Sequence, residues 1–300
     1  MENDIVKIGR IEAHSQRVKF KRMMIDRVFH GILIAATLFG IVMLFILMKQ
    51  VFADGLKYLD LDFLFSMPSR FAKKAGIYSA LVGTIITMIV TATAAIPIGI
   101  GTAIYIEEYA TKEKWYNRLI QVNIANLAGI PSIVYGMLGL GLFVQYMGLG
   151  RSILAGSLTL ALLILPVIII STQEALKSVP KELRQGSLAL GASKWQTTIK
   201  VVVPAALPGI MTGSILALSR AVGEAAPLIM VGAAGFVAFL PKSLMDSFTV
   251  LPIQIYNWTS RPQAEFHQLA ASGIIVLMVI MLFFNAMAIV LRNKYQQKYD

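Results

Sequence analysis

The 300-residue sequence contains no cysteine, which excludes a disulfide framework, a thiolate metal site and a cysteine nucleophile. Charge is also scarce, since Asp, Glu, Lys and Arg make up only 14% of the residues. An ordinary soluble domain has about 25% of these residues. Hydrophobic residues reach 57% and the mean hydropathy is +0.70. So little charge cannot cover the surface of a soluble core of this size, and the composition predicts an integral membrane protein surrounded by lipid.

The motifs of nucleotide-binding and metal-dependent enzymes are missing as well. The sequence has no Gly-Lys pair, so it cannot form a P-loop around nucleotide phosphates. Its three histidines, His14, His30 and His267, are far apart and show no metal-binding spacing. We therefore expect a non-catalytic chain that binds no cofactor or metal itself. If ATP drives its function, a partner subunit must hydrolyse the ATP.

Long apolar intervals predict six membrane-spanning helices, because a spanning helix needs about 20 apolar residues. Their approximate ranges are 28–48, 76–100, 121–146, 152–172, 205–235 and 268–291. With six spans, 18 of the 27 Lys and Arg residues lie on the side of the termini and eight lie on the other side. The positive-inside rule then places both termini in the cytoplasm. Alternatively, two short helices within the fifth interval would give seven spans.

One membrane domain, residues 28–291, accounts for most of the chain. It follows a basic cytoplasmic segment, 1–27, and precedes a basic cytoplasmic tail, 292–300. The formal net charge of +11 could indicate nucleic-acid binding. In a membrane protein, however, basic residues collect in cytoplasmic loops, so we expect no nucleic-acid partner.

The cytoplasmic loop 174–204 is too long for a simple turn and predicts two short helices. Pro180 suits the start of a helix, and Gly191 is a natural C-terminal stop. Ser193 and Gln196 have the spacing of a capping box, so we expect a second helix from there to Pro204. The pair forms a rigid protrusion that either docks a partner or lies at the interface without one.

The same loop resembles the signature of permease subunits of binding-protein-dependent ABC importers. That signature reads Glu-Ala-Ala, three residues, Gly, nine residues, Ile-x-Leu-Pro. Here Gln185, Gly186 and Ser187 are followed at the same spacing by Gly191 and Pro204. The resemblance implies that these five residues belong to a coupling loop that fits a socket on the ATPase subunit. Gln185 stands where the family has Glu, so the salt bridge of that Glu to the ATPase is not expected.

Three further segments resemble phosphate-importer permeases: 126–136, 217–227 and 251–258. The last two are more similar to one of the two paralogous permease subunits of such importers. The resemblance implies a type I ABC importer permease in the bacterial cytoplasmic (inner) membrane. It also implies three kinds of partner: a second permease subunit, an ATPase dimer and an extracytoplasmic phosphate-binding protein.

Arg220 and Glu224 are charged residues inside the fifth apolar interval. Four residues apart on a helix, they share one face and can pair. The pair could be purely structural. Alternatively, Arg220 lines the path of an anion, since its planar guanidinium matches phosphate oxygens, and Glu224 holds it in place. A proton-carrying Glu224 is less favoured, because the neighbouring arginine stabilises its ionised form.

The external segment 236–267 contains Tyr256, Trp258 and Arg261 and is long for a loop. Its aromatic residues are typical of anchors at the membrane interface. Alternatively, the segment forms a platform for the binding protein or for the second permease. Gly209 and Gly213 have the GxxxG spacing that allows close helix approach, although this signal is weak in apolar helices.

Overall fold

The computed structural model describes residues 2–111, 114–233 and 235–295, with side chains described between residues 22 and 294 of these ranges. All regular secondary structure within them is helical, which confirms the predicted all-α class. The helices are α1 (Glu2–Gly55), α2 (Leu61–Phe65), α3 (Tyr78–Ile104), α4 (Trp115–Ala128), α5 (Ser132–Gly139), α6 (Ile153–Lys177), α7 (Lys181–Ala189), α8 (Lys194–Thr197), α9 (Val203–Val222), α10 (Ala226–Val231), α11 (Leu251–Thr259) and α12 (Ala264–Tyr295). π-Helical turns continue α3, α5 and α8 over Tyr105–Tyr109, Leu140–Tyr146 and Thr198–Val202.

Five helical stretches of the described chain are long and apolar enough to cross a membrane: Arg22–Gly55, Tyr78–Tyr109, Ile153–Lys177, Lys194–Val222 and Ala264–Lys294. A sixth crossing is formed if the bent pair α4 and α5 counts as one span. The chain is therefore a multi-pass helical membrane protein. The cytoplasmic placement of both termini stays a prediction.

The chain divides into a first unit that ends at Ala53 and a second unit that begins at Asp54. The first unit is most of α1, and it contains the predicted span 28–48. The predicted basic segment 1–27 is helical from Glu2, but Met1 and the side chains before residue 22 lie outside the described part of the chain. Residues 296–300 of the predicted tail, with Lys298, lie outside it too.

The core of the second unit is built around α6. Its side chains Leu160, Ile164 and Ile168 are almost completely buried. Small residues allow the neighbouring helices to approach closely: a Cβ added to Gly99 of α3 would lie 2.6 Å from the Ile168 side chain. The close approach expected at Gly209 and Gly213 of α9 is present, because an added Cβ would lie 2.8 Å from Ala175 at Gly209 and would meet the Ser171 side chain at Gly213. These contacts make α3, α6 and α9 one tightly packed group.

The predicted third span, 121–146, is not one straight helix but the pair α4 and α5, which meet at an angle of 105°. Pro131 explains the break. Its ring disfavours helical backbone at the preceding residue, and it has no N–H to continue the helical hydrogen bonds. Hydropathy alone could not show the bend, because both halves are apolar.

The predicted fifth span, 205–235, is shifted in the structure. The helix runs from Lys194 through the π turn to Val222, and only the six-residue α10 follows after a break at Gly223. The expected helix end at Pro204 is therefore wrong. Because Pro204 cannot donate to the carbonyl four residues earlier, the chain widens into the π turn Thr198–Val202 and then continues. Helix α10 is too short for a seventh span.

The external segment is fixed to the ends of α3 and α6. The amides of Ile153 and Leu154 donate to the carbonyls of Asp246 and Leu244 at 3.2 and 2.9 Å. Trp258 is fully buried, with its ring centroid 6.0 Å from that of Phe63, so it is a core residue and not an interface anchor. Tyr256 remains 57% exposed.

Candidate functional site

Arg220 lies in the last turn of α9, and Glu224 follows in the break before α10. The helix ends there because Gly223 provides the C-cap, and the Glu224 amide donates to the Ala221 carbonyl at 3.2 Å. A cation at a helix C-terminus is stabilised by the partial negative charge of the unpaired carbonyls. The local structure thus favours a charged arginine at this position, despite the apolar sequence around it.

The predicted ion pair between these residues is present but loose. Arg220 Nε lies 3.4 Å from Glu224 Oε1, and the side chains are 53% and 18% exposed. Among the described residues, Glu224 is the one hydrogen-bond partner of Arg220. Four of the five guanidinium N–H donors are therefore available to another group. A purely structural ion pair would be expected to engage both side chains more fully.

The second helix break lies near the first. The Tyr135 hydroxyl of α5 donates to the Leu127 carbonyl of α4 at 2.8 Å, across the bend at Pro131. Tyr135 is buried, and it belongs to the same apolar cluster as Ala217 and Ala221 of α9, which flank Arg220 in the sequence. The two interrupted helices therefore bring their polar backbone ends and one cation to the same region.

Helix α5 packs directly on α10 at Gly136. A Cβ added there would lie 2.7 Å from the Pro227 Cα and 2.8 Å from the Met230 Cβ. Irregular backbone at membrane depth is tolerated where it is buried in protein or lines a water-filled cavity. The break between α9 and α10 is therefore packed against α5 at Gly136, while the anion-pathway role of Arg220 and Glu224 stays a prediction.

The loop 174–204 contains the end of α6, the short helix α7 and a tight turn into α8, which begins the long helical stretch that continues to Val222. Gly191 has φ +85, and it ends α7 with two hydrogen bonds: Gly191 N–H to Leu188 O at 3.0 Å, and Ala192 N–H to Ser187 O at 3.2 Å. This pattern is the Schellman motif, in which glycine takes the left-handed position. Gly186, in contrast, is exposed, and an added Cβ would meet nothing within 4 Å.

The capping box predicted at Ser193 is present. The Gln196 amide donates to Ser193 Oγ at 3.2 Å, and the Ser193 amide donates to Gln196 Oε1 at 2.9 Å. A further hydrogen bond of 2.9 Å between the hydroxyls of Ser187 and Thr197 joins α7 to α8. Helix α7 is therefore fixed to the start of the long helix that begins with α8.

The outer surface of this loop is apolar and basic. Leu188, Leu190 and Trp195 are 49%, 91% and 63% exposed. Gln185 is exposed beside them, and Lys194 adds positive charge. Exposed apolar groups clustered on one protrusion are typical of a protein–protein contact.

Sequence reasoning did not find the ion pair between Arg184 of α7 and Glu108 of the π turn after α3. Arg184 Nη2 lies 3.0 Å from Glu108 Oε1, and the side chains are 20% and 11% exposed. The two residues are 76 positions apart in the sequence, so no local spacing could indicate their contact.

Comparison with known proteins identifies relatives over most of the chain. Residues 95–297 match the family described as binding-protein-dependent transport system inner membrane component. A probable ABC transporter permease protein, YqgI of Bacillus subtilis (strain 168), is 34% identical over 85% of this chain and 89% of its own length. The phosphate transport system permease protein PstA 1 of Mycobacterium tuberculosis (strain CDC 1551 / Oshkosh) is 36% identical over 71% of this chain and 69% of its own length.

A solved structure of similar fold is that of a bacterial alginate ABC transporter in complex with an alginate-bound periplasmic protein. One of its chains superposes with a TM-score of 0.62 at 17% identity, covering 91% of this chain and 97% of that one. This likeness concerns the fold, which is that of type I ABC importer permeases.

Proposed function

The chain belongs to the family of binding-protein-dependent transport system inner membrane components and is the transmembrane permease subunit of an ABC importer, and from this premise we propose that the importer carries inorganic phosphate. The observation that carries the proposal is Arg220, a cation at the helix break after α9 that has four N–H donors without a partner among the described residues. Phosphate has the charge and the oxygen geometry to accept them. The similarity to PstA permeases supports the same substrate.

Glu224 lowers the affinity of Arg220 for phosphate in this proposal. Transport needs a site strong enough to accept the anion and weak enough to release it. With Glu224 Oε1 at 3.4 Å from Nε, the carboxylate lowers the local positive potential without using up the guanidinium. The long contact therefore suits a passing anion better than a permanent ion pair would.

The transporter assembles from separate subunits in this proposal. The second permease would resemble PstC, the ATPase dimer PstB and the extracytoplasmic phosphate-binding protein PstS, in a bacterial inner membrane. ATP is bound and hydrolysed by the ATPase dimer, while this chain catalyses nothing and binds no cofactor. The loop 174–204, with Gln185, Gly186, Ser187, Gly191 and Pro204, docks on that dimer through its exposed apolar groups.

Reconstitution tests the proposal. The chain is placed in proteoliposomes with its three partners, and uptake of radiolabelled phosphate is followed with and without internal ATP. We expect uptake that requires both the partners and ATP, and that excess unlabelled phosphate, but not sulfate, suppresses. ATP-driven uptake of another solute in place of phosphate would contradict the substrate. Uptake by the chain alone under an ion gradient would instead favour a symporter with Glu224 as its proton carrier.

Arg220→Gln tests the pathway residue directly. Hydrogen bonds to a charged group are worth about 1.5–3 kcal/mol, so phosphate uptake should fall by about tenfold to a hundredfold. The matched control is Arg118→Gln, since Arg118 is an exposed arginine of α4. Complex yield, measured by size-exclusion chromatography, should be unchanged in both. Loss of assembly in Arg220→Gln would instead indicate a structural ion pair.

A further inference from the structure

Arg184 connects three separate parts of the second unit. From α7, its Nη2 and Nε donate to Glu108 Oε1 at 3.0 and 3.3 Å, which reaches the π turn that continues α3. Its Nη2 also donates to the Leu176 carbonyl in the last turn of α6 at 2.7 Å, and Nη1 donates to the Val179 carbonyl in the connection that follows α6 at 2.6 Å. One guanidinium thus joins the first helix of the coupling loop to α3 and to α6.

The environment of Arg184 makes these bonds stronger than those of an exposed ion pair. Arg184 and Glu108 are 20% and 11% exposed, so water competes little for either charge. The C-terminal carbonyls of α6 also favour a cation, because the helix dipole places partial negative charge there. Removing the guanidinium would leave a nearly buried carboxylate and two carbonyls without these donors, which is far more disruptive than losing a surface ion pair.

The residue after Glu108 contacts the other helix of the loop. Lys194 Nζ of α8 lies 5.2 Å from the centre of the Tyr109 ring, and the Tyr109 hydroxyl lies 3.5 Å from Thr198 Oγ1. Two consecutive residues of the α3 π turn therefore hold α7 and the start of α8. Such π turns are frequent at functional positions.

Helices α3 and α6 are themselves closely packed against each other. Gly99 lies against Ile168, and the Thr91 hydroxyl donates to the Ser157 carbonyl at 3.1 Å. A close-packed interior transmits a displacement instead of absorbing it. A movement imposed on α7 through Arg184 therefore reaches the two helices around which the core is built.

We propose that Arg184, paired with Glu108, is a positioning residue of the transport cycle, which transmits the movement of the coupling loop to α3 and α6. The inference rests on the proposed function in one respect, namely that an ATPase moves α7. Arg184 itself touches neither the substrate nor Arg220 in this role. Its contribution is to keep α7, the end of α6 and the end of α3 together while the ATPase opens and closes.

The test compares Arg184→Gln and Glu108→Gln in the reconstituted importer, with phosphate transported per ATP hydrolysed as the readout. ATP hydrolysis should persist while this ratio falls, by about twofold to thirtyfold if the residues carry coupling free energies of the usual 0.5–2 kcal/mol. The matched control is Lys57→Gln, which removes an exposed 3.4 Å ion pair with Asp54, three positions away and outside the loop 174–204. An unchanged ratio with a reduced yield of complex would overturn the proposal.

The double variant Arg184→Gln/Glu108→Gln shows whether the two residues act through their contact with each other or affect coupling independently. If the residues act through each other, the double variant should lose little more coupling than either single variant, because interacting residues are non-additive. Additive losses would contradict a shared role. Arg184→Lys should rescue only partly, since an ammonium group cannot reproduce the planar fork that reaches the carboxylate and both carbonyls.

A distance measurement tests the connection without any assumption about the substrate. Because the chain has no native cysteine, spin labels can be attached to cysteines introduced at Lys181 of α7 and Ile98 of α3, both exposed positions. In the assembled complex, the distance distribution should stay narrow and unchanged on adding ATP, and should broaden in Arg184→Gln. A broad or ATP-dependent distribution with Arg184 intact would exclude the rigid connection. Failure of phosphate uptake in the unaltered complex would refute only the substrate.

Discussion

At the scale of single residues, Gly191 shows how one backbone angle shapes the coupling loop. Its φ of +85 lies in the left-handed region, where a residue with a Cβ is disfavoured by about 1–2 kcal/mol. The same residue donates its amide to Leu188, so proline would remove both the angle and the hydrogen bond. The direction in which α8 leaves α7 depends on this position.

Gly191→Pro should therefore uncouple the importer. ATP hydrolysis should continue, while phosphate uptake should fall toward the uptake measured without ATP, so that less phosphate is transported per ATP hydrolysed. The matched control is Gly148→Pro, because Gly148 also has a positive φ, +67, but lies beyond the opposite end of α6. Both variants carry similar backbone strain, and the measurement is the transport ratio with membrane content determined by immunoblot. Equal uncoupling by Gly148→Pro would show that strain anywhere suffices, and would contradict a special role of the loop.

Structural features that depend on neighbouring residues could be predicted from the sequence, whereas contacts between residues far apart in the sequence could not. The capping box of Ser193 and Gln196 and the stop at Gly191 depend on neighbours within a few positions, which a sequence displays directly. Arg184 looks like any basic residue of a cytoplasmic loop, because Glu108 comes from a distant helix. The role predicted for Arg220 rested on charge within an apolar interval and on family resemblance, and it stays a prediction until uptake is measured.

At the scale of secondary-structure elements, the two broken helices distinguish this fold from six straight spans. Hydropathy sums over a window, so the halves α4 and α5 gave the same signal as one straight helix. The breaks depend on Pro131 and Gly223, and on the packing of α5 against α10, which no linear pattern encodes. With these breaks, Tyr135 of α5 shares an apolar cluster with Ala217 and Ala221 of α9, which flank Arg220 in the sequence.

Gly136→Ala should destabilise the protein, because the added Cβ would lie 2.7 Å from the Pro227 backbone. Overpacking of this kind typically costs about 1–3 kcal/mol. Gly141→Ala is the matched control five positions further on, where an added Cβ meets nothing within 4 Å. Thermal unfolding in detergent, followed by fluorescence, should show a lower midpoint for Gly136→Ala alone. Equal midpoints would mean that α5 and α10 are not in close contact.

At the scale of the whole molecule, the mechanism requires the coupling loop and the external segment to lie on opposite sides of the membrane. Helix α6 separates them: its first amides donate to the carbonyls of Leu244 and Asp246, and Arg184 donates to the Leu176 carbonyl in its last turn. The distribution of Lys and Arg predicts that the coupling loop lies in the cytoplasm. An ATPase can dock on this chain only if that assignment is correct.

Single cysteines introduced at Leu190 and Tyr146 test the orientation, because the native chain contributes no background thiol. Both positions are well exposed, at 91% and 86%, and they lie beyond opposite ends of α6. A membrane-impermeant maleimide should label Tyr146→Cys in intact cells and Leu190→Cys only in inverted vesicles. Labelling of Leu190→Cys from outside would show that the orientation is opposite to the predicted one and that the coupling loop lies on the side without ATP. In that case the role of Arg184 would fail together with it, since no cytoplasmic ATPase could move α7.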